Sequence, residues 1–287
     1  MAYTNTKTPI VYYGGKTAIW NHIAPLIPVV HEVYTEVFLG GGTVYWSKEP
    51  AKNETINDTL DIVINFYQQL KLNYAELNKL IQASLVSRSI HKKAISIIRA
   101  HAVEPEPDKC TLAWAFWICT NFAYSNKIGG GYKYSNDMSV CVPDTMTRRK
   151  KDFTEFLAAR LEHTYIENED ALKILGSRNV PAAFHYIDPP YCGADMGHYD
   201  GYTWEQYETL LTWCAHDCKG KFLLSNYDSE LLQKFICENN WRVKYITHRL
   251  KAPRSSGAIS KTEVLIWNYN TDESNNLFTN TGISHTL

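Results

Sequence analysis

The 287-residue chain carries 29 Lys and Arg against 30 Asp and Glu, a formal net charge of −1. That balance excludes nucleic-acid binding through bulk positive charge, so any such binding would need basic residues gathered on one face. A hydrophobic fraction of 45% with 13% aromatic residues excludes a disordered chain, and no apolar run reaches membrane-spanning length.

Residues 1–16 contain no apolar stretch of signal-peptide length, so a soluble, cytoplasmic protein is expected. The seven cysteines include Cys214 and Cys218 one helical turn apart, with no second pair in register for zinc. Reduced, buried thiols are the expected state, and no metal site is expected.

In chain order, Tyr12-Tyr13-Gly14-Gly15-Lys16 comes first. Its glycines would let Lys16 approach a ligand carboxylate, although a surface turn with a solvated lysine accounts for it as well. The stretch 31–39 reads as a strand, since Val33, Thr35, Val37 and Phe38 are β-formers. It ends at Gly40-Gly41-Gly42, with Thr43 as a possible helix cap. Open α/β sheets bind ligands beyond such strand ends. The spacing fits neither a dinucleotide fingerprint nor a Walker loop, so a nucleoside without a pyrophosphate is the better expectation. A tight strand–helix turn explains the glycines equally well. A second short strand, 55–58, ends at Asn57-Asp58. Asp58 could take both hydroxyls of a ribose or cap the helix expected over 61–70.

The stretch 67–161 differs in character. Leu77, Leu80 and Ile81, then Ala94, Ile95, Ile97 and Ile98, have helical spacing. A glycine-rich loop at 125–134 and the basic run Arg148-Arg149-Lys150-Lys151 follow. Strand–helix alternation then resumes, with strands expected at 163–166, 183–187, 221–224, 242–247 and 263–267 and helices at 204–214 and 229–237. This order predicts a mostly parallel α/β sheet whose last two strands form an antiparallel hairpin at one edge. The expected architecture is an α/β sheet domain formed by 1–66 and 162–287, interrupted by a mainly helical insertion at 67–161.

The strongest chemical signal is Tyr186-Ile187-Asp188-Pro189-Pro190-Tyr191, an apolar strand running into Asp-Pro-Pro-Tyr. Asp188 offers an acceptor for an exocyclic N–H. Pro189 and Pro190 fix the backbone, so that a carbonyl can point into a pocket. Tyr191 offers a ring for stacking. Ser225-Asn226-Tyr227-Asp228, ending another strand, could line the same crevice or cap the next helix.

Taken together, Tyr13-Gly14-Gly15-Lys16, Phe38-Leu39-Gly40-Gly41-Gly42, Ile56-Asn57-Asp58, Glu167-Asn168-Glu169-Asp170, Tyr186 to Tyr191, Leu224-Ser225-Asn226-Tyr227-Asp228 and Thr262-Glu263-Val264-Leu265-Ile266-Trp267-Asn268-Tyr269 resemble, in order and over nearly the whole chain, the Dam-like adenine-N6 DNA methyltransferases. The resemblance implies a Rossmann-like methyltransferase fold, S-adenosylmethionine as cofactor, and double-stranded DNA as partner of a monomeric enzyme. It implies cofactor contacts from Tyr12, Gly15, Lys16, Phe38, Gly40, Gly41, Gly42, Asp58, Asp170 and Asp188, with Lys16 at the cofactor carboxylate, Asp58 at the ribose and Asp170 at the adenine. It makes Asp188, Pro189, Pro190 and Tyr191 the catalytic group, holding a flipped-out adenine, and 67–161 the target-recognition part.

Lys127, Lys133, Arg148, Arg149, Lys150 and Lys151 are expected phosphate contacts, with Arg254 and Lys261 near the flipped strand. Relatives that read GATC carry an arginine in the segment matching 121–131; this chain has none there, so a different site is expected. Competing expectations are methylation of adenine in RNA and a DNA-binding relative without catalysis. Methylation of an amide nitrogen is disfavoured by Asp, where Asn is usual, before Pro-Pro-Tyr.

Overall fold

The computed structural model describes residues 7–105, 108–137, 141–192, 201–249 and 260–271. Among these residues the strands form one seven-stranded sheet of order β3-β2-β1-β4-β5-β7-β6. After a short helix α1 (Trp20–Ile23), β1 (Val33–Glu36) leads through α2 (Thr43–Ser47) to β2 (Asn53–Asn57). The helices α3 (Asp61–Leu72), α4 (Tyr74–Ala83), α5 (Arg88–His101), α6 (Lys109–Phe122), α7 (Val142–Asp152) and α8 (Glu155–Leu161) precede β3 (Thr164–Glu167). The chain then alternates through α9 (Ala171–Ser177), β4 (Ala183–Ile187), α10 (Trp204–His216), β5 (Lys221–Tyr227) and α11 (Glu230–Asn239) to β6 (Arg242–Arg249) and β7 (Ser260–Trp267).

The strands β1 to β5 are parallel, and β7 runs antiparallel to both β5 and β6. This is the Rossmann-like arrangement expected from the sequence, with β7 slotted inside β6 instead of lying outermost. From β1 the chain steps outward to β2 and β3, then returns to the other flank of β1 as β4. The strand order therefore reverses between β1 and β4. In open α/β sheets a reversal opens a crevice at the carboxyl ends of the two strands. The glycine turn follows β1 and Asp-Pro-Pro-Tyr follows β4, so the topology alone brings these two segments to one crevice.

Side chains alternate across the sheet with period two. Leu223 and Leu265 join the core on one face, which also holds Tyr34, Ile56 and Phe184 and the helices α3 to α8. Phe222, Leu224, Val264 and Ile266 join the other, under α9, α10 and α11. Both faces are covered, so β4 is buried along its whole length, as a central parallel strand should be.

The helical part is not a detached lobe. In α6, every residue from Leu112 to Phe122 is buried. A helix apolar on all sides has to be wrapped by others, and α3, α4 and α5 pack around this one. Trp117 Nε1 donates to the Pro9 carbonyl at 3.0 Å, which ties α6 to the chain start. The boundary expected at residue 67 falls inside α3, a helix shared by sheet and insertion. A buried Lys48–Glu54–Arg160 cluster further joins the segment after α2, β2 and α8, with Lys48 Nζ 2.5 Å from Glu54.

Candidate functional site

The crevice between β1 and β4 is a cavity of about 360 Å³, within the range of about 300–1,000 Å³ typical of small-molecule sites. Every cofactor and catalytic residue expected from the sequence lines it: Tyr12, Gly15, Lys16, Phe38, Gly40, Gly41, Gly42, Asp58, Asp170, Asp188, Pro189, Pro190 and Tyr191. Residues the sequence reading did not single out, among them Glu36 and Tyr202, line it too.

The glycine turn is built by backbone bonds. Gly42 N–H donates to Leu39 O at 2.7 Å, and Leu39 N–H donates to Asn57 O at 2.9 Å. Gly40 and Gly42 have φ of 47° and 63°, which glycine alone adopts readily. A Cβ on Gly40 would stand 2.8 Å from the Tyr12 ring and one on Gly41 2.9 Å from the Tyr12 Cβ. The glycines thus admit Tyr12 against a tight turn. Gly42, and not Thr43, caps α2.

Asp58 is buried and accepts from Gly40 N at 2.9 Å and Leu60 N at 3.0 Å. It is an anchor of the turn as well as a wall of the cavity. Burial lifts its carboxyl to about 6 against these two bonds. Asn57 Nδ2 donates to Val37 O and Glu169 O, each at 3.0 Å, and its Oδ1 accepts from Glu169 N at 2.9 Å. One side chain thereby sets the ends of β1, β2 and β3 together. Asp170 caps α9 through Leu172 N and Lys173 N, at 2.9 and 3.1 Å.

Opposite lies an acid–amine cluster. Lys16, at the start of a 3₁₀ turn, places Nζ 2.6 Å from Asp188 Oδ2 and 3.5 Å from Glu263 Oε1. Sequence reading set Lys16 against a cofactor carboxylate; here its ion pair is with the chain's own Asp188. Burial pushes the Asp188 carboxyl up to about 6 against the pull of Lys16, and Glu263 adds to the push. Burial alone would lower the Lys16 pKa, but the surrounding acids, Asp188 first, raise it well above its ordinary value, so the ammonium is retained. Glu36, at the end of β1, accepts from Tyr34 Oη at 2.5 Å and Tyr45 N at 2.9 Å. Burial still lifts its carboxyl to about 8.

Residues 12–251 match the family model described as D12 class N6 adenine-specific DNA methyltransferase. The chain belongs to this family. The Type II methyltransferase M1.LlaDCHI of Lactococcus lactis subsp. cremoris is 26% identical over 278 residues, covering 89% of this chain and 93% of that protein. Modification methylase StsI of Streptococcus sanguinis is 22% identical over 302 residues; the match covers 95% of this chain and 44% of that protein, so the chain spans less than half of that relative. A solved SAM-dependent methyltransferase from Agrobacterium tumefaciens shares 12% identity at a TM-score of 0.37, covering 88% of this chain and 61% of that one. This D12 enzyme is thus an adenine-specific DNA methyltransferase, and S-adenosylmethionine is its methyl donor. Catalysis on RNA and a purely binding role are not favoured.

The cavity suits that donor on its own chemistry. Glu36 and Asp58 are buried acids that gain from polar or cationic partners. The buried Tyr186 hydroxyl on the cavity wall has no hydrogen-bond partner among the described residues. Phe38 and Tyr202 rings meet edge-on at 5.7 Å beside Asp170, offering apolar surface next to an acid.

The basic residues of the D12 enzyme do not act as one group. Lys127 reaches the cavity rim, its Nζ 4.8 Å from the Tyr13 ring. It belongs to a hairpin closed by an Ala123–Tyr132 bridge, with Tyr124 N–H donating to Gly131 O at 2.7 Å. Lys133 is half-buried on the returning side. Arg88, missed in the sequence, stacks at 5.2 and 5.4 Å on Tyr132 and Tyr134.

The run 148–151 lies in the last turn of α7 and on no wall of the cavity. Cations at a helix C-terminus are favoured by the helix dipole alone. Lys150 donates to Gln82 O at 3.1 Å and to Ser84 O, closing the end of α4. Lys261 lies on β7 opposite His248, and Arg254 falls outside the described residues. Ser225 to Asp228 do not line the cavity. Ser229 caps α11, and Ser225 and Tyr227 instead brace the cluster from behind, the Tyr227 ring packing at a tilt against Tyr191 with centroids 4.0 Å apart.

Proposed function

We propose that one end of the cavity holds S-adenosylmethionine and the other holds a flipped-out adenine of duplex DNA. The reading rests above all on Asp188, a part-buried carboxylate at the strand-order reversal that lines the same cavity as the glycine turn. Glu36 would hold the donor's ammonium, Asp58 its ribose, and Asp170 with Phe38 its adenine. When bound, the donor supplies a methyl group already activated on a sulfonium.

The chain's residues do the rest. The target amine is a weak nucleophile because its lone pair is spread into the ring. Asp188 Oδ and the Pro189 carbonyl accept its two N–H bonds and draw the nitrogen toward a pyramidal shape. Pro189 and Pro190 keep that carbonyl fixed. Tyr191 gives the extruded base a face, offsetting an unstacking cost of a few kcal/mol. A base seated over Asp188 would shield it from water, and a fixed acceptor so shielded acts more strongly. Positioning the reacting atoms about 3–3.5 Å apart supplies much of the remainder.

Residues 67–161 form the target-recognition part, with the 123–132 hairpin and Arg88 as its DNA-facing edge. The enzyme works in the cytoplasm of a bacterial or phage-infected cell, as the modification half of a restriction system or as a protective methylase. The missing arginine in 121–131 points to a site other than GATC. Expression in an unmethylated host, followed by nucleoside mass spectrometry and sequencing of the modified DNA, should yield N6-methyladenine in one short non-GATC site. N4-methylcytosine as the main product would overturn the base assignment.

A further inference from the structure

We infer that Glu263 is a positioning residue of methyl transfer, holding Tyr191 and Lys16 in place around Asp188. The inference rests on the reading of Asp188 to Tyr191 as the base site.

Glu263 opens the buried run Glu263-Val264-Leu265-Ile266-Trp267 on β7, yet it is a carboxylate with only 9% exposure. An apolar residue there would avoid the desolvation cost of a charge. What the carboxylate gains is a set of contacts converging on one oxygen. Tyr191 Oη donates to Oε1 at 2.9 Å, Ser225 Oγ donates to it at 2.8 Å, and Lys16 Nζ lies 3.5 Å away. Glu263 itself does not line the cavity, so it acts through its partners.

Two consequences follow for the transfer site. Pro189 and Pro190 fix the backbone leading into Tyr191, so the placement of its ring rests on the contacts of its side chain. Glu263 fixes the hydroxyl end, and Tyr227, paired with Glu263 across β5 and β7, packs on the ring. The plane available to a stacked base is thereby set. Lys16 is shared between two carboxylates, with Asp188 the nearer at 2.6 Å. One ammonium between two anions keeps Asp188 oriented without neutralising it, so it remains a strong acceptor for an amine N–H.

The experiment compares Glu263→Gln, Glu263→Ala, Tyr191→Phe and the Glu263→Ala/Tyr191→Phe double variant in the full chain. Single-turnover methyl transfer, the S-adenosylmethionine dissociation constant by calorimetry and the melting curve are measured for each. Misplacement of reacting groups by about 1 Å can cost on the order of 100-fold. Glu263→Gln, which keeps an oxygen for Tyr191 and Ser225, should slow transfer by roughly 10-fold and Glu263→Ala by roughly 100-fold. Cofactor affinity should stay within about twofold, since Glu263 is not a wall of the cavity. The double variant should lose less than the product of the single losses, because the residues act as a unit.

Wild-type transfer in Glu263→Gln or Glu263→Ala, or losses that multiply independently, would overturn the inference. Should Glu263→Ala fail to fold, Glu263→Gln decides alone. Asp188→Ala in the same assay separates the two readings. If it is inactive while the Glu263 variants transfer normally, only the role of Glu263 fails. If it transfers normally, the base-site reading fails and this inference with it.

Discussion

Glu36 and Asp58 are acids in two settings that give them different work. Asp58 is tied to two amides, and its carboxylate still faces the cavity. Asp58→Ala should raise the S-adenosylmethionine dissociation constant by roughly tenfold or more, as a hydrogen bond to a charged group is worth about 1.5–3 kcal/mol. Calorimetry checks this, and an unchanged affinity would leave Asp58 as an anchor of the glycine turn only.

Glu36 titrates at about 8 in the fold against an ordinary 4.5. Between those values the folded chain keeps a proton that the unfolded chain has released, so this contribution to stability falls as pH rises from about 4.5 to about 8. Glu36→Gln keeps an oxygen for Tyr34 and Tyr45 and removes the titration. Urea unfolding at pH 5 and pH 8 should show the wild type losing on the order of a few kcal/mol relative to this variant at the higher pH. Parallel curves would contradict it. Because Asp58 and Asp188 remain in both proteins, the difference isolates Glu36. Nothing in the sequence reading pointed to Glu36, although a lone charge among the β-formers of 33–38 was an available signal. Glu263 carried the same signal at the head of the strand expected over 263–267.

Among the elements, strands were easier to read than helices for a physical reason. β1, β4 and β5 are rich in β-formers and apolar residues and end near glycine or polar punctuation, and their expected positions fall within a few residues of those observed. α6 offered no amphipathic period because it is apolar all round, so its central place in the insertion went unread. The basic run 148–151 was read for charge, but its place at the end of α7 and the clamp from Lys150 to α4 are tertiary facts. Arg88 is remote in sequence from the hairpin whose tyrosines it stacks on.

These placements give a prediction that separates the two basic groups. Arg88→Ala with Lys127→Ala should weaken duplex binding and reduce the salt slope by up to about 0.9 log unit for each phosphate no longer neutralised. Arg148→Ala with Lys151→Ala should change both less. Filter binding across a salt series decides it, and the reverse ranking would assign the DNA face to α7.

Considered whole, the molecule joins sheet and helical insertion through one continuous core running from Tyr34 and Phe184 to Trp117 and Leu157. The motif order in the sequence was enough to bring the glycine turn, Asp58, Asp170 and Asp188 to a common cavity, since each follows or ends a strand of a parallel sheet. It could not show that Lys16 pairs with Asp188, because that contact spans 172 residues and depends on side-chain geometry. The shared core also means that a cavity residue can be tested without dismantling the fold, provided its side chain faces the cavity.

Asp188 meets that condition, and its replacement tests the proposed chemistry most directly. Asp188→Ala should remain folded by its melting curve. In single-turnover transfer from S-adenosylmethionine to duplex DNA, its rate should fall by at least about 100-fold, the scale of losing one preorganised transition-state partner. A folded Asp188→Ala enzyme transferring methyl groups at near the wild-type rate would contradict the account.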